Sequence, residues 1–360
     1  MSIVELFSGC GGFSHGIEAA GFSVAVAYDN DPVLSSSYHR NFPSTKQIQA
    51  DVSLLTATDV IQEVSGPILG IVGGPPCQGF SSIGKRREDD PRRELLSHFF
   101  RIVSEVRPTF FVMENVVGLQ QGAAKEVLSG ALEHVSDNFN ISAPMVLDAS
   151  DFGAATKRER VFVIGFRKEL QILFGEERLA PYKMPPTSVA DAIIDLGAAK
   201  KSSTTAHDDT WEIPSGMGLS AYAKRLVAED RKFTGNIRTK HTDAVKKRFA
   251  KVPPGKTDKV GRHPRLSWEG QCPTLRAGTG SDRGSFQSVR PLHPEEPRVI
   301  TVREAARLQG FPDRHFFHDT IWHSFRMIGN SVSPIMSYAL FRAIQDCLEE
   351  ASVNSAVAAE

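Results

Sequence analysis

The sequence predicts an α/β fold: a doubly wound, mostly parallel sheet with a second, smaller domain. Three observations predict it. Short apolar runs alternate with segments of helical period through the first half of the chain. Glycines and single acids stand just past those runs, where a parallel sheet keeps its binding crevice. After Pro181–Pro186 the composition turns to Gly, Pro, Ser and basic residues with few long apolar runs.

Taken in order, Ile3–Phe7, Val24–Tyr28, Ile68–Val72 and Thr109–Met113 read as buried strands, and a further strand is expected to end near Asp51. Phe13–Ala20, Val33–Asn41 and Glu94–Val106 read as helices; in the last, Leu95, Leu96, Phe99, Phe100, Ile102, Val103 and Val106 keep helical spacing. Val161–Phe166 closes the regular pattern as one more strand. Thr301–Leu308 reads as a capped helix, Ile335–Leu348 as a terminal helix, and residues 351–360 as a disordered tail.

The 360 residues allow one large domain or two ordinary ones, and 41% hydrophobic with 23% charged residues reads as a globular protein. No apolar run approaches the roughly 20 residues of a membrane helix, and MSIVELFSGCGG lacks the basic start of a signal peptide, so a cytoplasmic protein is expected. Four cysteines (Cys10, Cys77, Cys272, Cys347) without a CxxC pair indicate neither a disulfide framework nor a zinc site, and no metal is expected. Net charge is zero, yet residues 197–300 hold 20 Lys+Arg against 11 Asp+Glu, an excess of 9. A basic segment on an otherwise acidic chain suits a phosphate-bearing partner, although a solvated Lys-rich surface has the same composition.

Five groups of residues point to chemistry. In ELFSGCGGFSHG, Gly9, Gly11 and Gly12 allow a tight turn and close approach of a ligand before a helix; Ser14 stands where a dinucleotide fingerprint has Gly or Ala, which disfavours NAD. Asp29 and Asp51 close successive strands and together suit a nucleoside-containing cofactor, Asp29 being placed for ribose hydroxyls, with helix capping as the alternative for each. In GGPPCQGFS, Pro75 and Pro76 restrict the backbone that delivers Cys77, with no histidine near to act as its base. Glu114 and Asn115 follow the apolar run FFVM, a setting in which a carboxyl tends to keep its proton. In KRERVFVIG, Arg158 and Arg160 alternate with Glu159 at the start of a buried strand, where solvated flanking charges are the ordinary explanation.

Together these stretches resemble the DNA (cytosine-5) methyltransferase family, bacterial type. FSGCGGFS is similar to its cofactor loop, GGPPCQGFS to its catalytic-cysteine motif, ENV to its catalytic-glutamate motif and KRERVFVIG to its paired arginines. REAARLQGFPD (Arg303–Asp313) resembles the motif supporting the recognition domain, and GNSVSP (Gly329–Pro334) the segment returning to the cofactor. Thr156 departs from the family's Gln, and a shorter hydroxyl is expected to keep a weaker polar contact.

The resemblance implies a Rossmann-like methyltransferase sheet in residues 1–187 plus 329–350 and a target-recognition domain in 188–328. It implies methyl transfer from S-adenosylmethionine, leaving S-adenosylhomocysteine, to C5 of a flipped-out cytosine in double-stranded DNA through a covalent Cys77–C6 adduct. Catalytic roles fall to Cys77, Glu114, Arg158 and Arg160, the two arginines holding the flipped nucleotide. Cofactor contacts fall to Phe7, Ser8, Gly9, Cys10, Gly11, Gly12, Asp29, Asn30, Asp51, Val52, Pro76, Leu95, Asn330, Ser331 and Val332. DNA contacts fall to Gln78, Ser81, Lys85, Arg86 and Arg87 in a closing loop. Thr274 and Arg276 stand, with Leu275, in a Gly-rich loop able to approach a groove and read bases, with a phosphate contact as the equal alternative. A monomer is expected, with a separately acting restriction endonuclease as a partner left open.

Overall fold

The computed structural model describes residues 2–76, 94–202, 209–277 and 289–357. Cys77, Gln78, Ser81, Lys85, Arg86 and Arg87 lie outside the described residues. The chain divides into two compact units. The first comprises Met1–Asp148, Glu159–Lys183 and Met336–Glu360; the second comprises Ala149–Arg158 and Met184–Ile335.

The first unit is built on an eight-stranded sheet: β1 (Ser2–Leu6), β2 (Ser23–Asp29), β3 (Lys46–Gln49), β4 (Ile68–Gly73), β5 (Phe110–Asn115), β6 (Phe139–Ile141), β7 (Met145–Asp148) and β8 (Glu159–Arg167). The order is β3-β2-β1-β4-β5-β8-β6, with β7 also paired to β8. Strands β1 to β5 run parallel, whereas β8 runs antiparallel to β5, β6 and β7. Chain order reverses between β1 and β4, so the carboxyl ends of these strands flank the crevice where such sheets bind ligands. This is the mostly parallel, doubly wound architecture expected from the alternating pattern.

Helices cover both faces. α1 (Gly12–Ala19), α2 (Tyr38–Asn41), α3 (Ala57–Gln62), α4 (Glu94–Val106) and α5 (Ala123–Ser136) connect the strands. On one face, Leu96, Phe99, Phe100 and Val103 of α4 and Leu128 and Val135 of α5 pack with Val4, Leu6, Ile71, Phe111 and Met113. On the other, Phe13 and Phe22 meet Phe110, Phe162 and Phe341 edge-on or tilted. Strand alternation sends Val4 and Leu6 to the first face and Glu5 to the opposite one.

Two local readings differ from the structure. Residues 33–37 are turns and only Tyr38–Asn41 is helical. The reason is competition from side chains: Asp31 Oδ1 accepts the Val33 and Leu34 amides, and the Ser35 and Ser36 hydroxyls donate to the carbonyls of Asp31 and Val33. At the other end of the chain, α11 spans Pro334–Val357 and continues into the stretch read as a disordered tail. ASVNSAV contains no glycine or proline to stop it.

The second unit contains α6 (Val189–Ile193), α7 (Ala221–Leu226), α8 (Asp243–Ala250), α9 (Val302–Gln309) and α10 (Ile321–Asn330), with a small antiparallel sheet of β9 (Lys200–Lys201), β10 (Trp211–Glu212) and β11 (Lys232–Phe233). Every residue of α9 is buried. Its charges are satisfied individually: Arg303 donates to the carbonyls of Thr234, Pro312 and His315, Arg307 pairs with Asp313 at 2.6 Å and Asp195 at 3.2 Å, and Arg298 holds both oxygens of Glu304 at 2.8 Å. Thr301 caps the helix and completes a capping box with Glu304. Residues 149–158 pack with this unit because Thr156 and Cys272 pair through their backbones, Cys272 N donating to Ala155 O and Lys157 N to Cys272 O, each at 2.9 Å. The compact unit therefore takes in a segment that the sequence reading placed with residues 1–187.

Candidate active site

The glycine loop follows β1. Phe7 has φ 58°, a left-handed conformation that L-residues avoid, and Gly9 and Gly11 have φ 52° and 87°. A side chain on Gly11 would fall 2.8 Å from Phe42 Cζ and closer still to the adjoining ring carbon, so this glycine is required by contact as well as by φ. At Gly9 a Cβ would have nothing within 4 Å, which leaves open space beside the loop. The loop is pinned by Ser8 N to Tyr28 O at 3.0 Å and by Gly9 N to Asp29 Oδ2 at 2.7 Å.

Asp29 is buried, and its other oxygen accepts the Asp31 amide at 2.8 Å. Burial raises its pKa, and the two amides partly offset that rise. Each oxygen accepts one backbone amide and keeps a further lone pair, so the carboxylate has capacity left for a ligand hydroxyl. Asn30 is exposed and Val52 buried, while Pro76 and Leu95 are half-buried. Asp51 is exposed two residues beyond β3; the amide and hydroxyl of Ser53 hold its carboxyl below the usual range.

Ser8 Oγ is buried and has no hydrogen-bond partner among the described residues. An orphaned hydroxyl beside an open, side-chain-free turn fits a small polar ligand carrying hydrogen-bonding groups. Cys10 is also buried. Behind the loop, Glu5 is enclosed with Ser14 and Tyr38: Ser14 Oγ donates to Glu5, lies 2.7 Å from Tyr38 Oη, and Tyr38 Oη donates to Glu5 at 3.4 Å. Burial pushes Glu5 up to about 8, with the Ser14 and Tyr38 hydroxyls offsetting part of the rise. The sequence reading missed this network, although a lone acid inside the apolar run IVELF was its signal.

Glu114 and Asn115 are the last two residues of β5, not the turn after it, and both are buried. Asn115 Nδ2 donates to Pro75 O at 3.0 Å, and a side chain on Gly74 would fall 2.8 Å from Glu114 Oε2. The segment leading into Cys77 is thereby laid against the Glu114 carboxylate, and Gly74 permits that closeness. Arg160, from β8, places Nε 2.9 Å from Glu114 Oε1 and donates Nη1 to Glu159 O. Burial lowers the Arg160 pKa and Glu114 partly restores it. The structure therefore joins two of the four expected catalytic residues in one ion pair at the sheet's carboxyl edge.

Arg158 has a different environment. It is fully buried and donates to Leu275 O at 3.2 Å and Gly329 O at 2.9 Å, within the second unit. Thr156 is also fully buried and donates to Cys272 O at 3.1 Å.

Also in the second unit, Thr274 Oγ1 donates to Lys157 O at 2.7 Å, and Leu275 is buried. The exposed Arg276 borders a cavity of about 130 Å³ lined by Thr239, Arg290, Ile321, Trp322 and Phe325. A groove of about 430 Å³, lined by Arg238, Lys240, His241, Lys246, Glu296 and Arg298, carries more cations than anions. The sequence showed the excess charge but not this grouping. Asn330, Ser331 and Val332 follow at the end of α10, where Ser331 O accepts Gln309 Nε2 at 3.0 Å. Among the described residues no cluster of His, Cys, Asp and Glu could hold a metal, and no helix is long and apolar enough to cross a membrane.

Comparison with known proteins places this geometry in context. A model of C-5 cytosine-specific DNA methylases matches residues 1–346. The chain is 39% identical to the type II methyltransferase M.XorII of Xanthomonas oryzae over 96% of this chain and 85% of that protein. It is 31% identical to the type II methyltransferase M.DdeI of Desulfomicrobium norvegicum over 96% and 88%. A crystal structure from E. coli, described as a prophage-encoded DNA modification methyltransferase, superposes with TM-score 0.83 at 38% identity, covering 97% of this chain and 99% of that one.

Proposed function

The chain belongs to the C-5 cytosine-specific DNA methylases, and from that membership we propose that it acts on a flipped-out cytosine in double-stranded DNA through a covalent adduct between Cys77 and C6. The observation that carries the reading is the edge of β5, where Glu114 is held by Arg160 and pressed against the Gly74–Pro75 backbone entering Cys77.

Cytosine C6 is a weak electrophile, so the substrate must be activated along with the thiol. In the proposed step the Cys77 thiolate forms an S–C6 bond, the ring electrons move toward N3, and Glu114 protonates or hydrogen-bonds N3. Arg160 orients that carboxyl and faces the base. Electron density is left on C5. S-Adenosylmethionine supplies, when bound, the electrophilic methyl group. Loss of the C5 proton then expels the Cys77 sulfur and restores the ring. No histidine is required beside the thiol, because positioning and activation of the ring lower the barrier.

For the cofactor, Phe7, the Ser8–Gly12 backbone and Ser8 Oγ would line the nucleoside end, with Asp51 and Val52 at the adenine, and Pro76 and Leu95 completing the wall. Asn330, Ser331 and Val332 keep the cofactor role that the family motif implies. The basic groove around Arg238, Lys240 and Lys246 suits DNA phosphates, and Arg276 a base edge. The relatives' type II names favour a restriction endonuclease acting separately on the same sequence.

DNA containing 5-fluorocytosine tests the reading, because fluorine blocks the final elimination. A covalent adduct on Cys77 is expected, stable to denaturation, and absent from Cys77→Ser. A Cys77→Ser protein that methylates DNA at the normal rate would refute the nucleophile.

A further inference from the structure

Arg158 forms a junction that the reaction described above does not use. Its two terminal nitrogens reach carbonyls from separate segments, Leu275 O at 3.2 Å and Gly329 O at 2.9 Å, with the whole side chain buried. Leu275 immediately precedes Arg276, and Gly329 immediately precedes Asn330–Val332. The two segments also touch directly. A side chain on Gly329 would fall 2.6 Å from Ala277 Cα and closer still to the Ala277 nitrogen and the Arg276 carbonyl carbon, so the contact exists only because residue 329 is glycine. The segment that carries Arg158 is fastened to the same place by Thr274 Oγ1 to Lys157 O and by the Cys272–Thr156 backbone pairing.

A guanidinium is always charged and presents its donors in a rigid planar fork. Bridging two carbonyls, it fixes their separation, and burial removes the water that could replace either bond. The segment reading DNA and the segment returning to the cofactor are therefore held as one piece. We infer that Arg158 is a positioning residue, not a contact to the flipped nucleotide, and that it couples occupancy of the recognition segment to occupancy of the cofactor segment. This rests on the proposed roles of Arg276 and Asn330–Val332, and it revises the part that the family resemblance gives to Arg158.

The test uses the full chain and a DNA duplex first shown to accept labelled methyl groups from the unaltered protein. Absence of any methyl transfer at that stage would count against the proposed function itself. Duplex affinity is then measured with and without S-adenosylhomocysteine, and S-adenosylhomocysteine affinity with and without duplex, which must give the same coupling factor. The unaltered protein is expected to show coupling of roughly fivefold or more. Arg158→Met should bring the factor close to one, with Arg158→Lys in between because an ammonium can serve one carbonyl. Gly329→Ala should reproduce the loss without touching the arginine, which keeps the inference testable if Arg158→Met fails to fold; thermal melts report folding for each variant. The inference is overturned if the unaltered protein shows no coupling. It is equally overturned if folded Arg158→Lys and Gly329→Ala keep the full factor, or if Arg158→Lys weakens duplex binding equally with and without S-adenosylhomocysteine, as a nucleotide contact would.

Discussion

The edge of β5 and the helix α9 both bury charged side chains, but to different ends. In α9 the charges are closed on themselves: Arg307 is held by Asp313 and Asp195, Arg298 by Glu304, and Arg303 by three carbonyls. At the β5 edge, Glu114 and Arg160 keep side-chain exposures of 10% and 13%, and the carboxylate faces a glycine and the backbone entering the thiol. An ion pair sealed from water specifies an arrangement, because removing one partner strands the other. One with an open side has capacity left for a substrate. The lesson is that a buried arginine in this protein is read by its partners: carboxylates and carbonyls on every side indicate architecture, and a partly open carboxylate indicates chemistry. Arg158 falls in the first class despite lying two residues from Arg160.

That contrast can be broken most directly at Glu114. Glu114→Gln is expected to reduce methyl transfer by about 10²–10⁴-fold while S-adenosylhomocysteine binding, followed by calorimetry, persists. If the loss were matched by a comparable loss of folded protein in a urea titration, the β5 edge would belong with α9. Asp313→Ala should do the reverse, lowering unfolding free energy by about 3–5 kcal/mol in that titration with little change in turnover of the fraction that remains folded. A pH-dependent effect is expected at Glu5. Its carboxyl holds a proton more tightly in the fold, up to about 8, than in the unfolded chain. The contribution is therefore present below the ordinary carboxyl range and lost as pH rises through the folded value. Thermal melts across about pH 5 to 8 should show stability falling toward the alkaline end, and Glu5→Gln should flatten that slope. An unchanged slope would mean that another group carries it.

Much of the β5 edge was legible from residues alone. FFVMEN identifies a buried strand with an acid at its carboxyl end, and PPC identifies a thiol on a stiff backbone. What could not be read was Gly74 against Glu114, since Gly74 follows β4 while Glu114 lies within β5, and only pairing of the two strands brings them together. The paired arginines were legible as a motif, but their roles were not. Alternation predicts a shared direction for Arg158 and Arg160, whereas β8 begins at Glu159 and Arg158 precedes it, serving carbonyls of the second unit instead. The helix expected at Val33–Asn41 was lost for a local reason, because Asp31, Ser35 and Ser36 offered its backbone other bonds.

The sequence by itself determined the alternation of strands and helices through much of the first half, the strand ends that bear glycine and acid, and the family to which those motifs point. These are local matters: periodicity, turn chemistry and motif order need no knowledge of distant neighbours. Only the tertiary structure decided that Asp29 accepts two backbone amides, that Glu5 shares a dry pocket with Ser14 and Tyr38, and that Arg158 spans Leu275 and Gly329. A buried polar group must find its partners wherever folding happens to bring them, and the chain separation of those partners carries no signal that a linear reading can detect.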